Sequence, residues 1–480
     1  MANSNSFVPD PVSFEMSTHV GPGVSMASRA TRHRGRTEDS MQEIHSDNSR
    51  GMSVMGASFT LANTILGIGL LGLPGVTASM GIGLFLFVIL FTCLLAMFTA
   101  HLMVQSAQVA KEPAFVSIGE AAFGKAGAYL ASGIMVCQTS CTLTAYIVLI
   151  KTMGIPLMWD APTAVQTVLG VIGVVVVLLL PLSMLRDLSG LSFSCYFAVS
   201  VFFTVVATVM YSTTWRESVG GLSYLPDVER TLAERELRVW GILGTPLDVL
   251  GKMPPLIFAF VCHHTVLPIY ADLQGAAPAK MDKVAVNAFF SALGLYITCG
   301  IAGYIAFRDL ATEKSQILDC FPTHLWQFRL ERTAMLIAVL FGFPCVHFGS
   351  RKAMTFLMFG PGGVFTWARH CGVTLFIVGY TTCLALVVPD LSFAFSWAGA
   401  TVSPTMMYLY PAITYLAVYK KLPEDRWRQL RAAGACFILV WGVLVICICT
   451  WNNLQPKGDA APAPSPVPAP PSESALLLQM

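Results

Sequence analysis

Eleven apolar runs follow one another along the chain, near residues 53–78, 81–105, 126–150, 163–185, 189–213, 250–271, 284–307, 333–350, 372–389, 391–418 and 433–451. Each is close to the roughly 20 residues a helix needs to cross a bilayer core. Such a succession predicts an all-α polytopic membrane protein of about eleven transmembrane helices. Composition agrees: 55% of residues are hydrophobic and only 12% charged, against about 25% charged in a soluble domain. The mean hydropathy is +0.65.

Three regions are expected. Residues 1–50 are polar, lack an apolar signal-peptide core and read as a disordered cytoplasmic tail. Residues 51–452 form the transmembrane domain. Residues 453–480, with the run APAPSPVPAPP, read as a second disordered tail. Arg29, Arg32, Arg34, Arg36 and Arg50 precede the first span, and the cytoplasmic side then holds most of the Lys and Arg. That bias puts the N-terminus in the cytoplasm. An odd number of spans puts the C-terminus outside the cell or in a lumen. The longest inter-span loop, 214–248, contains DVERTLAERELR, which reads as a short surface helix. Arg186 and Asp187 read as a cytoplasmic link. A net charge of +2 and the lack of a basic domain give no sign of a nucleic-acid partner. No cysteine spacing suggests a disulfide framework or a zinc site.

Two of the runs are poorly suited to simple spanning. Ser58 to Gly75 reads SFTLANTILGIGLLGLPG, with Asn63, Thr64 and four glycines, Gly67, Gly69, Gly72 and Gly75. Each Gly costs about 1 kcal/mol relative to Ala in a helix interior. Either the helix packs closely through small residues, or it opens at Gly67-Ile68-Gly69 and turns backbone groups toward a ligand. Open backbone at membrane depth is tolerated only where it lines a cavity or is buried in protein. The sixth run reads GKMPPLIFAFVCHHTVLPIYADL, with Pro254-Pro255 at its start, His263-His264 at mid-depth and Pro268 beyond. Breaks in spans one and six are the pattern of a five-plus-five inverted repeat with its site near the midplane.

The chemistry of that site is narrowed by what the apolar runs lack. No Asp, Glu, Lys or Arg lies in the central part of any of them, which argues against a carboxylate proton pathway and a voltage sensor. A zwitterion suits such a site. Its carboxylate takes N–H groups at a half-helix N-terminus, and its ammonium takes carbonyls freed by the breaks. His263 and His264 are either buried imidazoles or proton carriers. His101 and His347 read as interfacial, and Phe258, Phe260, Tyr270 and Tyr380 as packing. A P-loop, a nucleophile elbow and metal-ligand spacing are all missing, so an enzyme is not expected.

Three motifs carry a family resemblance: LANTILGIGLLGLPG in span one, FAFVCHHTVLPIYADLQ in span six, and LLLPLSMLRDLSGLSF between spans four and five, with FPCVHFGSRKAM in span eight beside them. Over roughly residues 53 to 450 the chain resembles the amino acid/auxin permease family, within it most of all the sodium-coupled neutral amino acid transporters. The resemblance implies a leucine-transporter-like fold with discontinuous first and sixth helices, and amino acid transport driven by sodium or protons. It implies that Asn63 helps bind sodium. It also implies that Thr64, Ile65, Gly67 and Gly69 form the substrate segment, and that Phe260, Cys262 and His263 face it. Two positions depart. Leu340, Phe341 and Gly342 stand before Phe343-Pro344 where the sodium-coupled members have a Thr, and His264 stands where Pro or another residue is usual. The missing hydroxyl favours proton coupling or exchange, with His263 and His264 as candidates. The family's luminal cysteine pair and glycosylation sites are also absent from 214–248.

The expectation is a secondary active transporter of neutral amino acids, working by alternating access in the plasma membrane or a vacuolar or lysosomal membrane. It would need no cofactor beyond a co-transported H+ or Na+, and its partners would be the amino acid and the lipid. The alternative is an amino acid sensor with little flux.

Overall fold

The computed structural model describes residues 51–110, 112–159, 162–185, 192–218, 222–240, 245–323, 325–360 and 366–455. The two tails and the link carrying Arg186 and Asp187 lie outside the described residues. Helices account for nearly all regular structure. Among the described residues nine are long and apolar enough to span: Ile82–Ala107, Phe115–Met158, Ala164–Ser183, Tyr196–Thr214, Val249–Ala271, Pro278–Phe307, Trp326–Phe359, Trp367–Val387 and Arg428–Leu454. A tenth is the bent pair Val54–Ile65 and Ile68–Met80, whose halves meet at 48°. The remaining expected span, 391–418, tenth in chain order, is helical but not one rod. It runs Leu391–Ala400, breaks at Thr401 (φ −122°, ψ −72°), and continues through a π turn, Thr405–Leu409, into Tyr410–Val418. Its pieces are each too short to span alone. Large apolar side chains such as Phe87, Val177, Phe376 and Val440 remain exposed on the outer faces of the spans, where lipid takes the place of water.

Several helices outrun the apolar runs that marked them, and their extra turns carry charge. Lys151 donates to the carbonyls of Ala385 (2.9 Å) and Val388, at the end of span nine. Arg332 donates to Leu318 O (2.6 Å) and Phe321 O (3.1 Å). Arg351 donates to Ser183 O (2.6 Å) and Leu185 O (3.1 Å), at the end of span four. In each case a cation from one span satisfies carbonyls that a neighbouring helix or turn leaves free at its end.

The first and sixth spans are tied together on one side of the bundle. The Met52 N–H donates to Asp272 O (2.7 Å) and the Gln274 N–H to Met52 O (3.0 Å). On the opposite side a loop and strap cover the second half of span one. A Cβ on Gly75 would lie 2.6 Å from Ala311 O, in the loop after span seven. The charged stretch of the long loop forms the expected helix, Asp227–Glu234. Beyond it Arg238 donates to Ala78 O (2.8 Å) and to both oxygens of Asp309 (3.1 and 2.5 Å), while Arg235 reaches Asp309 Oδ2 at 3.2 Å. Asp309 is only 3% exposed. Asp309→Asn takes the partner from two guanidinium groups and is expected to cost up to about 3 kcal/mol, less than a fully buried pair because the arginines reach solvent. A lower melting temperature in detergent and faster proteolysis within 222–240 would register it; unchanged values would assign the strap no role.

Candidate functional site

The first span stops being helical at a definite point. Helix Val54–Ile65 ends at Leu66 (φ −68°, ψ 88°), Gly67 is extended (φ −123°, ψ −167°), and a 3-10 turn, Ile68–Gly72, leads into Leu73–Met80. The sixth span does the same. Pro254–Ala259 ends, Phe260 and Cys262 leave helical geometry (φ −91°, ψ 1° and φ −126°, ψ 6°), and a helix resumes at His263. Two helix N-termini and two C-termini are thereby created inside the protein. The first turn after each break carries N–H groups without an intrahelical acceptor, and the last turn before it carries free carbonyls.

The two breaks touch. A Cβ on Gly69 would lie 2.9 Å from both Cα and Cβ of Ala259, so the 3-10 turn of span one packs on the last helical residue before the break in span six. Only a residue without a side chain permits this approach. Tyr296, fully buried in span seven, closes the junction: its hydroxyl lies 2.5 Å from Ile65 O and 3.0 Å from Ala259 O, the carbonyls that end the two first halves. A single side chain therefore serves both breaks.

The residues singled out from sequence divide by where they point. Asn63 is half-buried and its Oδ1 has no hydrogen-bond partner among the described residues. Thr64 returns its hydroxyl to Thr60 O (3.1 Å) in its own helix. Ile65 is buried, and a Cβ on Gly67 would meet nothing nearer than Ile65 O at 3.9 Å. Phe260 packs its ring on Phe289 and Tyr296 of span seven, with centroids 6.3 and 5.2 Å away. Cys262 is fully buried. His263 is also fully buried and meets span two, its Nε2 lying 2.9 Å from the Thr99 hydroxyl. The Thr99 hydroxyl also lies within reach of Leu95 O and Ala96 O (both 3.0 Å). Its single proton serves one of these carbonyls or His263 Nε2, and the imidazole tautomer decides which. The Nδ1 atoms of His263 and His264 have no partner among the described residues. At the eighth-span position where a hydroxyl was missed, a Cβ on Gly342 would lie 3.5 Å from the Tyr146 hydroxyl of span three.

Sequence reasoning passed over Tyr296, Thr99 and Phe395. Phe395 of span ten packs tilted against Phe258, with ring centroids 5.0 Å apart, and closes against Gly72. Each is an ordinary residue of an apolar run, and nothing local distinguishes it.

The chain is similar to two solved transporters. It matches the crystal structure of MhsT in complex with L-phenylalanine at a TM-score of 0.52, with 14% identity, covering 82% of this chain and 98% of that one. It also matches Mhp1 in its inward-facing conformation at 0.49, with 12% identity, covering 84% and 92%. The first likeness gives the leucine-transporter-like fold, in which the first and sixth helices are discontinuous. The sequence profile for transmembrane amino acid transporter proteins matches residues 50–455. With that match over most of its length, and with two facing breaks built from its own glycines, prolines and Tyr296, this multi-pass membrane protein belongs to the transmembrane amino acid transporter family and is not an enzyme.

Proposed function

We propose that the chain is a secondary active transporter of neutral amino acids, with the substrate's α-ammonium and α-carboxylate held at the junction of the two breaks. The observation that carries this reading is the contact of Gly69 with Ala259 under the Tyr296 hydroxyl. Helix N-termini beyond the breaks favour a carboxylate, and free carbonyls before them favour an ammonium. No carboxylate or cation of the described residues hydrogen-bonds the side chains of Asn63, Thr64 or His263, so a substrate of no net charge is the best match. Asn63 is the candidate for an ion, since its Oδ1 is buried and unshared. His263 is the candidate for a proton, since its buried Nδ1 has no partner among the described residues. Alternating access would rock the spans that carry the breaks against the rest of the bundle. The N-terminus would face the cytoplasm, in the plasma membrane or a vacuolar or lysosomal membrane.

The test is uptake of a panel of labelled amino acids into proteoliposomes, under imposed sodium and proton gradients. Saturable uptake of alanine-like substrates, accelerated by one gradient, is expected; binding without flux would make the protein a sensor. His263→Gln is expected to flatten the pH profile of uptake. An unaltered profile would remove His263 from the coupling step.

A further inference from the structure

A second place in the molecule has the charges that the central junction lacks. At the end of span three the helix loosens into a π turn, Ile150–Gly154, a distortion frequent at functional sites. Thr152 and Met153 of that turn, Asp319 and Thr323 of the loop after span seven, and Arg329 and Arg332 at the start of span eight line a half-open cleft of about 50 Å3, room for more than one water where about 10–15 Å3 holds a single one. None of these residues belongs to either break.

The charges in the cleft do not meet in an ion pair. Asp319 accepts from Gln316 Nε2 (3.1 Å) and Ser315 Oγ (3.3 Å), both neutral donors. Arg332 is 6% exposed and spends one nitrogen on the carbonyls of Leu318 and Phe321, leaving Nε without a partner. Arg329 makes one long contact, 3.5 Å to Leu157 O. Among the described residues none of the three forms an ion pair within 4.0 Å. Gln316, 2% exposed and bonded to Asp319, also has an unpartnered Oε1. Burial holds the Asp319 carboxyl above its ordinary range, although Arg332 and the two hydrogen bonds pull the other way. Asp319 and Arg332 act on each other across the cleft without an ion pair inside 4.0 Å, and Arg329 has no carboxylate beside it among the described residues, so none of the three is neutralised by direct contact.

We propose that this cleft is a second binding site, distinct from the central junction, that takes the α-ammonium of a free amino acid at Asp319 and its α-carboxylate at Arg329 and Arg332. Two guanidinium groups against one carboxylate suit a ligand whose carboxylate is the better-held end. With Arg329 and Thr323 exposed at the mouth, the ligand's side chain projects outward. The site reads the amino acid backbone and selects weakly among side chains.

Binding of labelled L-alanine to the purified full-length protein in detergent tests this. Gly69→Val forces the central junction apart and changes none of the cleft's own residues. It is expected to retain one saturable L-alanine site per chain. Adding Asp319→Asn or Arg329→Gln to it should weaken that site by about tenfold or more, as removing a charged partner does. Propionate, without the ammonium, and L-alanine methyl ester, without the carboxylate, should compete at least about tenfold more weakly than alanine. Arg329 is exposed, so its substitution guards against a folding defect in the Asp319 variant. No L-alanine binding to Gly69→Val, or residual binding indifferent to both second substitutions, overturns the proposal. Uptake in proteoliposomes reports on the junction alone, so failure of one site is separable from failure of the other.

Discussion

Gly69→Val is expected to abolish amino acid uptake while the protein still reaches the membrane. The first atom of any side chain at this position would lie 2.9 Å from Cα and Cβ of Ala259. Backbone cannot step aside as the end of a flexible side chain can, so spans one and six must separate. Overpacking of this kind costs about 1–3 kcal/mol, and it falls on the geometry that would hold the substrate. Uptake should drop by about one to two orders of magnitude, since each 1.4 kcal/mol is tenfold. Gly67 is the internal control. Its backbone is extended, which any residue adopts, and the nearest atom to an added Cβ is 3.9 Å away. Gly67→Ala should keep uptake within a few-fold of wild type, roughly 0.5 kcal/mol or less. Surface labelling separates expression from transport. Gly69→Val with wild-type uptake would mean that the contact between the breaks is dispensable.

Tyr296→Phe is expected to reduce the maximal rate of uptake by about tenfold. The ring stays in place against Phe260, 5.2 Å between centroids. Only the hydroxyl shared by Ile65 O and Ala259 O is lost. Leaving a buried carbonyl without a donor costs about 1–3 kcal/mol, and here two carbonyls share one donor. With the ring intact, a general packing defect should be small, so the loss should appear in uptake kinetics more than in thermal stability. Wild-type kinetics in this variant would leave the hydroxyl with no part in transport.

Much of this architecture is legible in the chain because its signals are local. The apolar runs locate ten spans whether or not their partners are known. Gly67 and Gly69 mark the first break because glycine disfavours a helix wherever it occurs; Pro254-Pro255 begin the half-helix before the second break, which falls at Phe260 to Cys262 without such a residue. Span ten shows the limit. Gly399 and Pro404 flank its break at Thr401, and Pro404 has no N–H to offer the Ala400 carbonyl, yet a reading by overall apolarity passes over that local signal. Charged helix ends were equally hidden: Lys151, Arg332 and Arg351 look like the edges of apolar runs until the carbonyls they satisfy come into view.

From its sequence alone, then, this protein was bound to thread a bilayer many times and to interrupt two of its helices, because bilayer thickness and helix propensity act on consecutive residues. That the interruptions meet was decided in three dimensions. Tyr296 stands 231 residues from Ile65 and 37 from Ala259 along the chain, and His263 stands 164 from Thr99. No periodicity reaches across such separations; the packing of spans one, six and seven brings the three together.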